Sequence, residues 1–218
     1  MAQSHAPQQR MPASDRKQQL LETALDVFSR RGFEGTTTRE LASAAGIAEA
    51  VIFRHFPTKQ ALYNAVLDYK MHSAEVQDRL AATQACIEAR DDAAMFRTIA
   101  SQVLASYRTD PRFERMILFA ALEGHELALN YIRQQFFPFY QLLDDYIRQR
   151  QAEGALSGLR PFVILSALFG MAHHYAQVSQ MIGFLPEEIP DEEIVDAFVR
   201  ILLDGVRAPH APDKNGTQ

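Results

Sequence analysis

The sequence predicts an all-α protein of about nine helices, with an N-terminal three-helix domain followed by a larger C-terminal helical domain. Apolar residues recur at helical spacing in nearly every segment between the two termini. No run of residues alternates apolar and polar side chains over the length of a strand. Glycine, proline, hydroxyl and acidic residues fall between the periodic segments, where helices begin and end.

Two helices near the N-terminus can be placed from residue type. The first is predicted to begin near Asp15, a good N-cap residue, and to end before Gly32, which can adopt the left-handed conformation that closes a helix. The second is predicted to begin at Thr37. Glu40 stands three residues later, which completes the pattern of a capping box, and Gly46 follows the last turn.

The next two helices are short. The third is predicted over about 48–56, because Pro57 cannot continue a helix, and Thr58 is expected to cap a fourth helix that reaches about residue 70. The glycine turn at 44–47 joins the second helix to the third. Residues 37–56 therefore have the form of a helix-turn-helix, in which a short second helix can enter the major groove of DNA.

The C-terminal part is predicted to contain five helices. They are the apolar period around 96–107, a helix opened by Asp110 and Pro111, a long helix at about 126–153, and the segments 161–182 and 191–206. Pro138 lies inside the long helix and predicts a kink or a break near Phe137.

The two ends of the chain are polar and have no apolar period. We therefore expect a disordered arm at 1–13, an N-terminal domain at 14–74, a C-terminal domain at 75–207 and a disordered tail at 208–218. No signal peptide is evident, and the longest apolar stretch is shorter than the roughly 20 residues that span a bilayer. The single cysteine, Cys86, excludes an intramolecular disulfide and suits a reducing compartment. These features predict a cytoplasmic protein that does not enter a membrane.

The charge distribution is uneven. The chain has a net charge of −5, but residues 1–60 carry eight Lys or Arg against six Asp or Glu, which leaves the excess of acid in the remainder. A less acidic N-terminal part is compatible with a surface that faces nucleic acid, although charge alone does not establish one.

Three segments at fixed spacing identify a family resemblance. They are Gly32–Ala42 (GFEGTTTRELA), Ala45–Ile47 and Ile52–Leu62 (IFRHFPTKQAL). Over about 15–74 the sequence resembles the TetR/AcrR family of bacterial transcriptional regulators. From residue 75 onward it shares only the general pattern of helices, with an apolar final pair.

The resemblance implies a set of DNA contacts. Contacts to phosphates and base edges are implied for Thr36, Thr37 and Arg39. The exposed recognition face corresponds to Ala48, Glu49, Ala50 and Val51. Phe53 and His55 correspond to residues that pack on the sugar–phosphate backbone, and Lys59 corresponds to a residue that contacts phosphate. Arg54 suits a guanine or phosphate contact, or a solvated surface position. Glu49 suits either of two roles: an acidic residue that stabilises the start of the helix, or an acceptor of a hydrogen bond from a cytosine amino group.

Three positions depart from the family pattern. Ala48 stands where Ser or Thr is usual, so the recognition helix should lack a hydroxyl cap. Phe53 replaces the usual Tyr and removes one hydroxyl–phosphate hydrogen bond, and Val51 stands where Thr or Ser is frequent. Together they predict a more apolar readout, for example of thymine methyl groups.

The middle of the chain is rich in aromatic residues with a few polar groups among them. A small-molecule pocket of that composition is expected from Phe113, Met116, Phe119, Glu123, His125, Tyr131, Phe137, Tyr140, Phe169, His173 and Gln177. The alternative for most of these residues is ordinary core packing. A metal site is not expected, because the adjacent His173 and His174 point in different directions on a helix.

The last helix is apolar over most of its circumference, which requires burial on more than one side. We expect a dimer interface formed by Leu165, Leu168, Ala172, Ile194, Phe198, Ile201 and Leu202. The alternative is burial within one chain.

These features favour a homodimeric DNA-binding transcriptional regulator, most simply a repressor. We expect its N-terminal helix-turn-helix to bind a palindromic operator. We expect its C-terminal domain to dimerise and to bind a small, largely apolar effector that releases DNA. No cofactor is expected. A helical-bundle enzyme is disfavoured because no nucleophile–base pairing, phosphate loop or Glu-x-x-His pair is found. A helical adaptor that binds protein remains an alternative that a gel shift would distinguish.

Overall fold

The computed structural model describes residues 13–185, 187 and 189–206, with side chains from residue 16 onward. These residues form ten α-helices and no strand, which confirms the all-α prediction. The helices are α1 (Ala13–Arg31), α2 (Thr38–Ala45), α3 (Glu49–His55), α4 (Lys59–Met71), α5 (Ala74–Glu88), α6 (Asp92–Thr109), α7 (Arg112–Leu122), α8 (Glu126–Ala152), α9 (Pro161–Ala176) and α10 (Asp191–Val206). A π-helical segment, Gln177–Ile182, continues α9.

The ends of the chain differ in part from expectation. α1 begins at Ala13, two residues before the predicted cap Asp15. The rest of the expected arm, 1–12, and the expected tail lie outside the described residues. No described helix is both long enough and apolar enough to cross a bilayer.

The helix that the sequence did not predict is α5. Its buried side chain is that of Thr83, and few apolar residues mark an inner face. The segment therefore lacks the strong apolar period by which the other helices were placed. It is the reason that the described residues contain ten α-helices rather than nine.

Of the kink or break predicted near Phe137, the break is wrong, since α8 runs without interruption past Pro138. A proline removes the hydrogen bond to the carbonyl group four residues earlier. Here that residue is Gln134, which is exposed, as is Pro138 itself. Water can therefore satisfy the freed carbonyl oxygen, and the helix continues.

The chain divides into two compact units. The first contains α1 to α4 together with residues 112–132, that is, α7 and the start of α8. Its core includes Phe28, Leu41, Ile52 and Tyr63, all fully buried. The unit extends beyond the expected boundary at residue 74 because α7 packs against α1 and buries Met116 in the same core.

The second unit contains residues 74–111 and the chain from Arg133 onward. In it α6 packs against α5, α9 and α10. Four of the residues expected at a dimer interface belong to this core and are buried within the chain: Leu165, Leu168, Ala172 and Leu202. For these four the interface prediction is wrong, because neighbouring helices of the same chain already cover them.

Other apolar side chains on the last two helices stay uncovered. On α9, Phe162 is 64% exposed and Val163 is 49% exposed, and the exposed small residues Ala167 and Gly170 follow on the same face. On α10, Ile201 is 62% exposed and the half-buried Ile194 and Phe198 precede it at helical spacing. Each of the two helices therefore carries an apolar stripe that the chain itself does not bury. We call these the α9 stripe (Phe162, Val163, Ala167, Gly170) and the α10 stripe (Ile194, Phe198, Ile201).

Candidate nucleic-acid interface

The N-terminus of α2 is fixed by a capping box, as predicted. The backbone N–H of Glu40 donates to Thr37 Oγ1 at 3.2 Å, and the backbone N–H of Thr37 donates to Glu40 Oε2 at 2.9 Å. The hydrogen bond from the Thr37 backbone, aided by that from its hydroxyl group, holds the pKa of the Glu40 carboxyl group below its ordinary value. Arg31 forms an ion pair with the same carboxylate. The start of α2 is thus tied to the end of α1.

The turn between α2 and α3 has the predicted form. Gly46 adopts φ 64° and ψ 32°, the left-handed region that glycine enters without strain. The backbone N–H of Ile47 donates to the Ala42 carbonyl oxygen at 3.0 Å, which closes the end of α2. Leu41 and Ile52 are fully buried across the turn and fix the angle between the two helices. These contacts form a helix-turn-helix.

The recognition helix α3 begins at Glu49, and its N-cap residue, Ala48, provides no side-chain cap, as the departure from the family pattern predicted. Glu49 lies in the first turn of α3, the first of the two positions expected from the sequence. Its carboxylate accepts a hydrogen bond from the Thr38 hydroxyl group. This bond links the first turn of α3 to the first turn of α2.

One face of α3 is open to solvent. Ala50, Phe53, Arg54 and His55 are exposed, and so are Ala48 and the α2 residue Arg39. Neither Arg39 nor Arg54 makes a hydrogen bond or ion pair with the described part of the chain. Two unengaged guanidinium groups beside an exposed aromatic ring can bind phosphate oxygens or guanine edges.

Two of the expected contact residues are directed into the protein. Thr36 is 1% exposed, and its hydroxyl group donates to the Gly32 carbonyl oxygen at 2.7 Å, so the expected DNA contact of its side chain is wrong. The Lys59 ammonium group donates to the carbonyl oxygens of Phe33 and Thr36 at 2.7 and 2.9 Å. Two of its three donors are thus committed inside the protein, and the lysine anchors a loop instead of standing free for phosphate.

A basic residue of α1 lies at this surface and was missed by the sequence analysis. Arg16 lines a small crevice together with Val51 and His55 of α3, and its side chain is exposed. Val51 is half-buried in the same crevice. The only sequence signal was a basic residue in the first predicted helix, which without the packing of α1 on α3 has no specific meaning.

Comparisons with known proteins agree with this geometry. The sequence model of the family described as "Bacterial regulatory proteins, tetR family" matches residues 20–66, which contain the helix-turn-helix. Residues 20–66 of the chain therefore resemble the helix-turn-helix domain of that family. The transcriptional regulator RutR of Escherichia coli is 27% identical over 202 residues, covering 89% of this chain and 92% of RutR. By these similarities the chain is a DNA-binding transcriptional regulator.

Solved structures share the fold of this chain. The fatty acid degradation regulator FadR from Bacillus halodurans superposes with a TM-score of 0.67 at 18% identity, covering 93% of this chain and all of FadR. AibR in complex with isovaleryl coenzyme A and operator DNA superposes with a TM-score of 0.64 at 20% identity, covering 86% of this chain and 98% of AibR.

The residues expected to line an effector pocket are divided between the two units. Six lie in the first unit (Phe113, Met116, Phe119, Glu123, His125 and Tyr131) and five in the second (Phe137, Tyr140, Phe169, His173 and Gln177).

The two polar residues of the first set serve that unit itself. Glu123 accepts hydrogen bonds from the backbone of the α1–α2 loop. His125 Nδ1 accepts from the Ala128 backbone N–H at 3.1 Å, which caps α8. Met116 is fully buried in the core of the unit, and the Tyr131 hydroxyl group donates to Asp68. Met116 therefore packs in the core, whereas Glu123, His125 and Tyr131 make hydrogen bonds within the first unit.

The second unit brings three polar groups together. The Tyr107 hydroxyl oxygen lies 3.1 Å from His173 Nδ1, and Gln177 Nε2 donates to that hydroxyl oxygen at 3.2 Å. The Phe169 ring lies 6.2 Å from the His173 ring, centroid to centroid. Burial lowers the pKa of His173, which favours the neutral imidazole. The sequence did not predict Tyr107 as a pocket residue, because the segment of α6 is recognised only by its apolar period.

Histidine and acidic side chains do not gather into a metal site in the part of the chain that the structure describes. No group of three His, Cys, Asp or Glu residues is placed there to hold an ion. Of the two histidines that invited that possibility, His173 is engaged with Tyr107 instead.

Proposed function

We propose that this protein is a homodimeric repressor that binds a palindromic operator and releases it when a small effector binds. The observation that carries the proposal is the open face of α3. Phe53 and Arg54 are exposed on it, Arg39 is exposed on α2, the other helix of the motif, and neither arginine is engaged within the described chain. A helix of 7 residues with such a face fits the major groove.

The readout is expected to be partly apolar. Ala50 is exposed on α3 and offers a methyl group, and Phe53 offers a ring at 45% exposure. Methyl and aromatic groups contact thymine methyls, whereas Arg39 and Arg54 supply charge for phosphate or guanine. Arg16 extends the basic surface along α1. Operator half-sites that contain thymine are therefore expected.

The α9 and α10 stripes support a homodimer. They lie on consecutive helices of one unit and consist of apolar and small side chains, which allow helices to approach closely. A second copy of the chain presents the same stripes, so that a two-fold arrangement buries them against each other. A two-fold dimer presents two recognition helices about 34–36 Å apart, one turn of DNA, and thus binds a palindrome.

An effector site in the second unit is supported by the cluster of Tyr107, His173 and Gln177. Phe169 adds an apolar surface beside it, the combination by which pockets bind small molecules. AibR forms a complex with both isovaleryl coenzyme A and operator DNA, so that one protein of this fold binds both kinds of ligand. A ligand releases DNA to the extent that it binds the DNA-free form more tightly.

DNA binding by the purified protein tests the proposal. Labelled duplexes from the regions flanking its own coding sequence are titrated and followed by fluorescence anisotropy, with a scrambled duplex as control. Specific binding with two subunits per duplex is expected. The double variant Arg39→Ala/Arg54→Ala should lose the preference, whereas Arg200→Ala, which removes an exposed arginine of α10, should retain it. Equal affinity for flanking and scrambled duplexes would contradict sequence-specific regulation.

The effector is sought by thermal shift with hydrophobic compounds and acyl-coenzyme A thioesters. A ligand that binds only the folded protein raises Tm by mass action, and the same compound should release the duplex. His173→Ala should weaken the shift and the release together while DNA binding without ligand is unchanged. Full release from a His173→Ala protein would contradict the placement of the effector site.

A further inference from the structure

The loop between α1 and α2 is held by a carboxylate that is distant in sequence. Glu123, just after α7, accepts a hydrogen bond from the backbone N–H of Phe33 at 3.0 Å through Oε2 and from that of Glu34 at 3.2 Å through Oε1. All three residues belong to the first unit. One side chain thus accepts hydrogen bonds from two consecutive backbone N–H groups of the loop that directly precedes α2 and α3.

Gly32 makes room for this carboxylate. Its φ of +71° lies in the left-handed region, and a Cβ atom placed on it would lie 2.0 Å from Glu123 Oε1 and 3.1 Å from the Phe119 ring. Any side chain at this position would push the carboxylate away from the two amides. The glycine that ends α1 is therefore also required by the contact with Glu123.

The other side of the loop is held by Lys59 of α4. Its ammonium group donates to the carbonyl oxygens of Phe33 and Thr36 and lies 4.1 Å from the centroid of the Phe33 ring. The edge of the same ring contacts His125 at 4.2 Å between centroids. Residue 33 is thus bound at its N–H by Glu123, at its carbonyl oxygen by Lys59, and at its ring by Lys59 and His125.

The loop is connected by hydrogen bonds to the N-termini of α2 and α3. Thr36 returns a hydrogen bond to Gly32, and Thr37 is the N-cap of α2. Thr38 then binds the carboxylate of Glu49 at the start of α3. A shift of the loop would therefore move the cap of α2 and, through Thr38, the first turn of the recognition helix.

We infer that Glu123 is a positioning residue for DNA binding: its carboxylate holds the α1–α2 loop, and through it the N-termini of α2 and α3, in the geometry that reads DNA. The inference rests on the proposed DNA-binding function and adds to it the residue that holds the reading helices in place. Both carboxylate oxygens of Glu123 are occupied by backbone N–H groups of the loop. Its hydrogen bonds lie inside the first unit, so its effect on affinity is indirect.

The test compares Glu123→Ala, Glu123→Gln and the matched control Glu34→Ala. The control removes an exposed carboxylate from the same loop but leaves its backbone N–H bonded to Glu123. Each variant is titrated with a labelled duplex that the starting protein binds, at a temperature at which circular dichroism shows it folded. Glu123→Ala should bind about tenfold more weakly, within the range by which connected residues modulate coupling. Glu123→Gln, which keeps one acceptor oxygen, should be intermediate, and Glu34→Ala should bind as the starting protein does.

A purely structural role would lower Tm without changing the affinity of the folded protein, so two further readouts are used. Amide hydrogen exchange should rise at Phe33 and Glu34 in Glu123→Ala but not in Glu34→Ala. Gly32→Ala should weaken DNA binding in the starting protein. In the Glu123→Ala background the clash with the carboxylate is gone and only the strain of the left-handed φ and the contact with Phe119 remain, so the additional loss should be smaller. This non-additivity is expected only if the two residues act through one contact.

The outcomes are distinguishable. A starting protein that binds no duplex refutes the proposed function, and the inference with it. A folded Glu123→Ala protein that binds DNA as tightly as the starting protein refutes the inference alone. If Glu123→Ala does not fold, Glu123→Gln decides: affinity within about twofold of the starting protein, with unchanged amide exchange, overturns the role.

Discussion

The ammonium nitrogen of Lys59 lies 4.1 Å from the centroid of the Phe33 ring, and the Phe33 carbonyl oxygen accepts one of its hydrogen bonds. The lysine is therefore used to hold a loop of its own chain. The arginines of the same surface, Arg39 and Arg54, are exposed instead. The basic residues of this segment thus have two different roles: Lys59 holds a loop of its own chain, and the two arginines face outward. Removing Lys59 and removing an arginine should therefore have different effects.

For Lys59→Ala we expect the main effect to be a loss of stability, and not a loss of contacts with DNA phosphate. Removal of a charged donor from two carbonyl oxygens and an aromatic ring should lower the free energy of unfolding by about 2 kcal/mol. Urea denaturation measures this. The dependence of log Kd on log salt concentration should keep its slope, whereas Arg54→Ala should change the slope and leave stability intact. A slope that falls in Lys59→Ala would restore the phosphate contact expected from the sequence.

For Arg16→Ala we expect weaker DNA binding without a change in folding. Arg16 is exposed beside Val51 and His55 of the recognition helix. If it neutralises one phosphate, its loss should reduce the salt slope by about 0.9. Arg200→Ala removes the same charge from α10 and should leave the slope unchanged. Equal slopes for both variants would remove Arg16 from the interface.

The capping box of α2 predicts a pH dependence. The pKa of Glu40 lies below its ordinary value of 4.5, chiefly because the Thr37 backbone N–H binds the carboxylate. A lowered pKa in the folded state stabilises the fold above pH 4.5, and that contribution is lost as the pH falls through the folded-state pKa. Glu40→Gln retains an acceptor oxygen without the charge.

The measurement is the difference in unfolding free energy between the starting protein and Glu40→Gln, followed from pH 7 to pH 3. The difference should be constant in the upper range and shrink below about pH 4.5. Glu34→Gln alters a carboxyl group outside the capping box and is the control. A difference that does not vary with pH would show that the charge of Glu40 contributes nothing to the cap.

For the dimer, Ile201→Asp should dissociate the subunits without unfolding them. Ile201 is 62% exposed on the α10 stripe, so its substitution leaves the chain's own core intact but places an unpaired charge in the proposed interface. Sedimentation velocity should show a folded monomer and operator affinity should fall. Phe184→Asp changes a side chain that is 77% exposed outside both helices and should remain dimeric. A dimeric Ile201→Asp protein would place the interface elsewhere.

The sequence by itself determined the helix boundaries around the DNA-reading segment. The capping box of Thr37 and Glu40, the glycine turn at Gly46, the uncapped Ala48 and the cap at Thr58 are all found as predicted. Each depends on atoms within about four residues along the chain, so residue type and spacing are sufficient to predict it. The weakly periodic α5 was missed for the converse reason, since it has little local pattern to detect.

Only the tertiary structure decided which side chains of a predicted face remain accessible. Leu202 is buried in the core of its own chain while its neighbour Ile201 is exposed, although both are apolar residues of one helix. Glu123 was expected in a pocket and instead binds amides 89 and 90 residues away. Such contacts depend on how helices distant in sequence pack against one another, and helical periodicity carries no information about the partner that a face will meet.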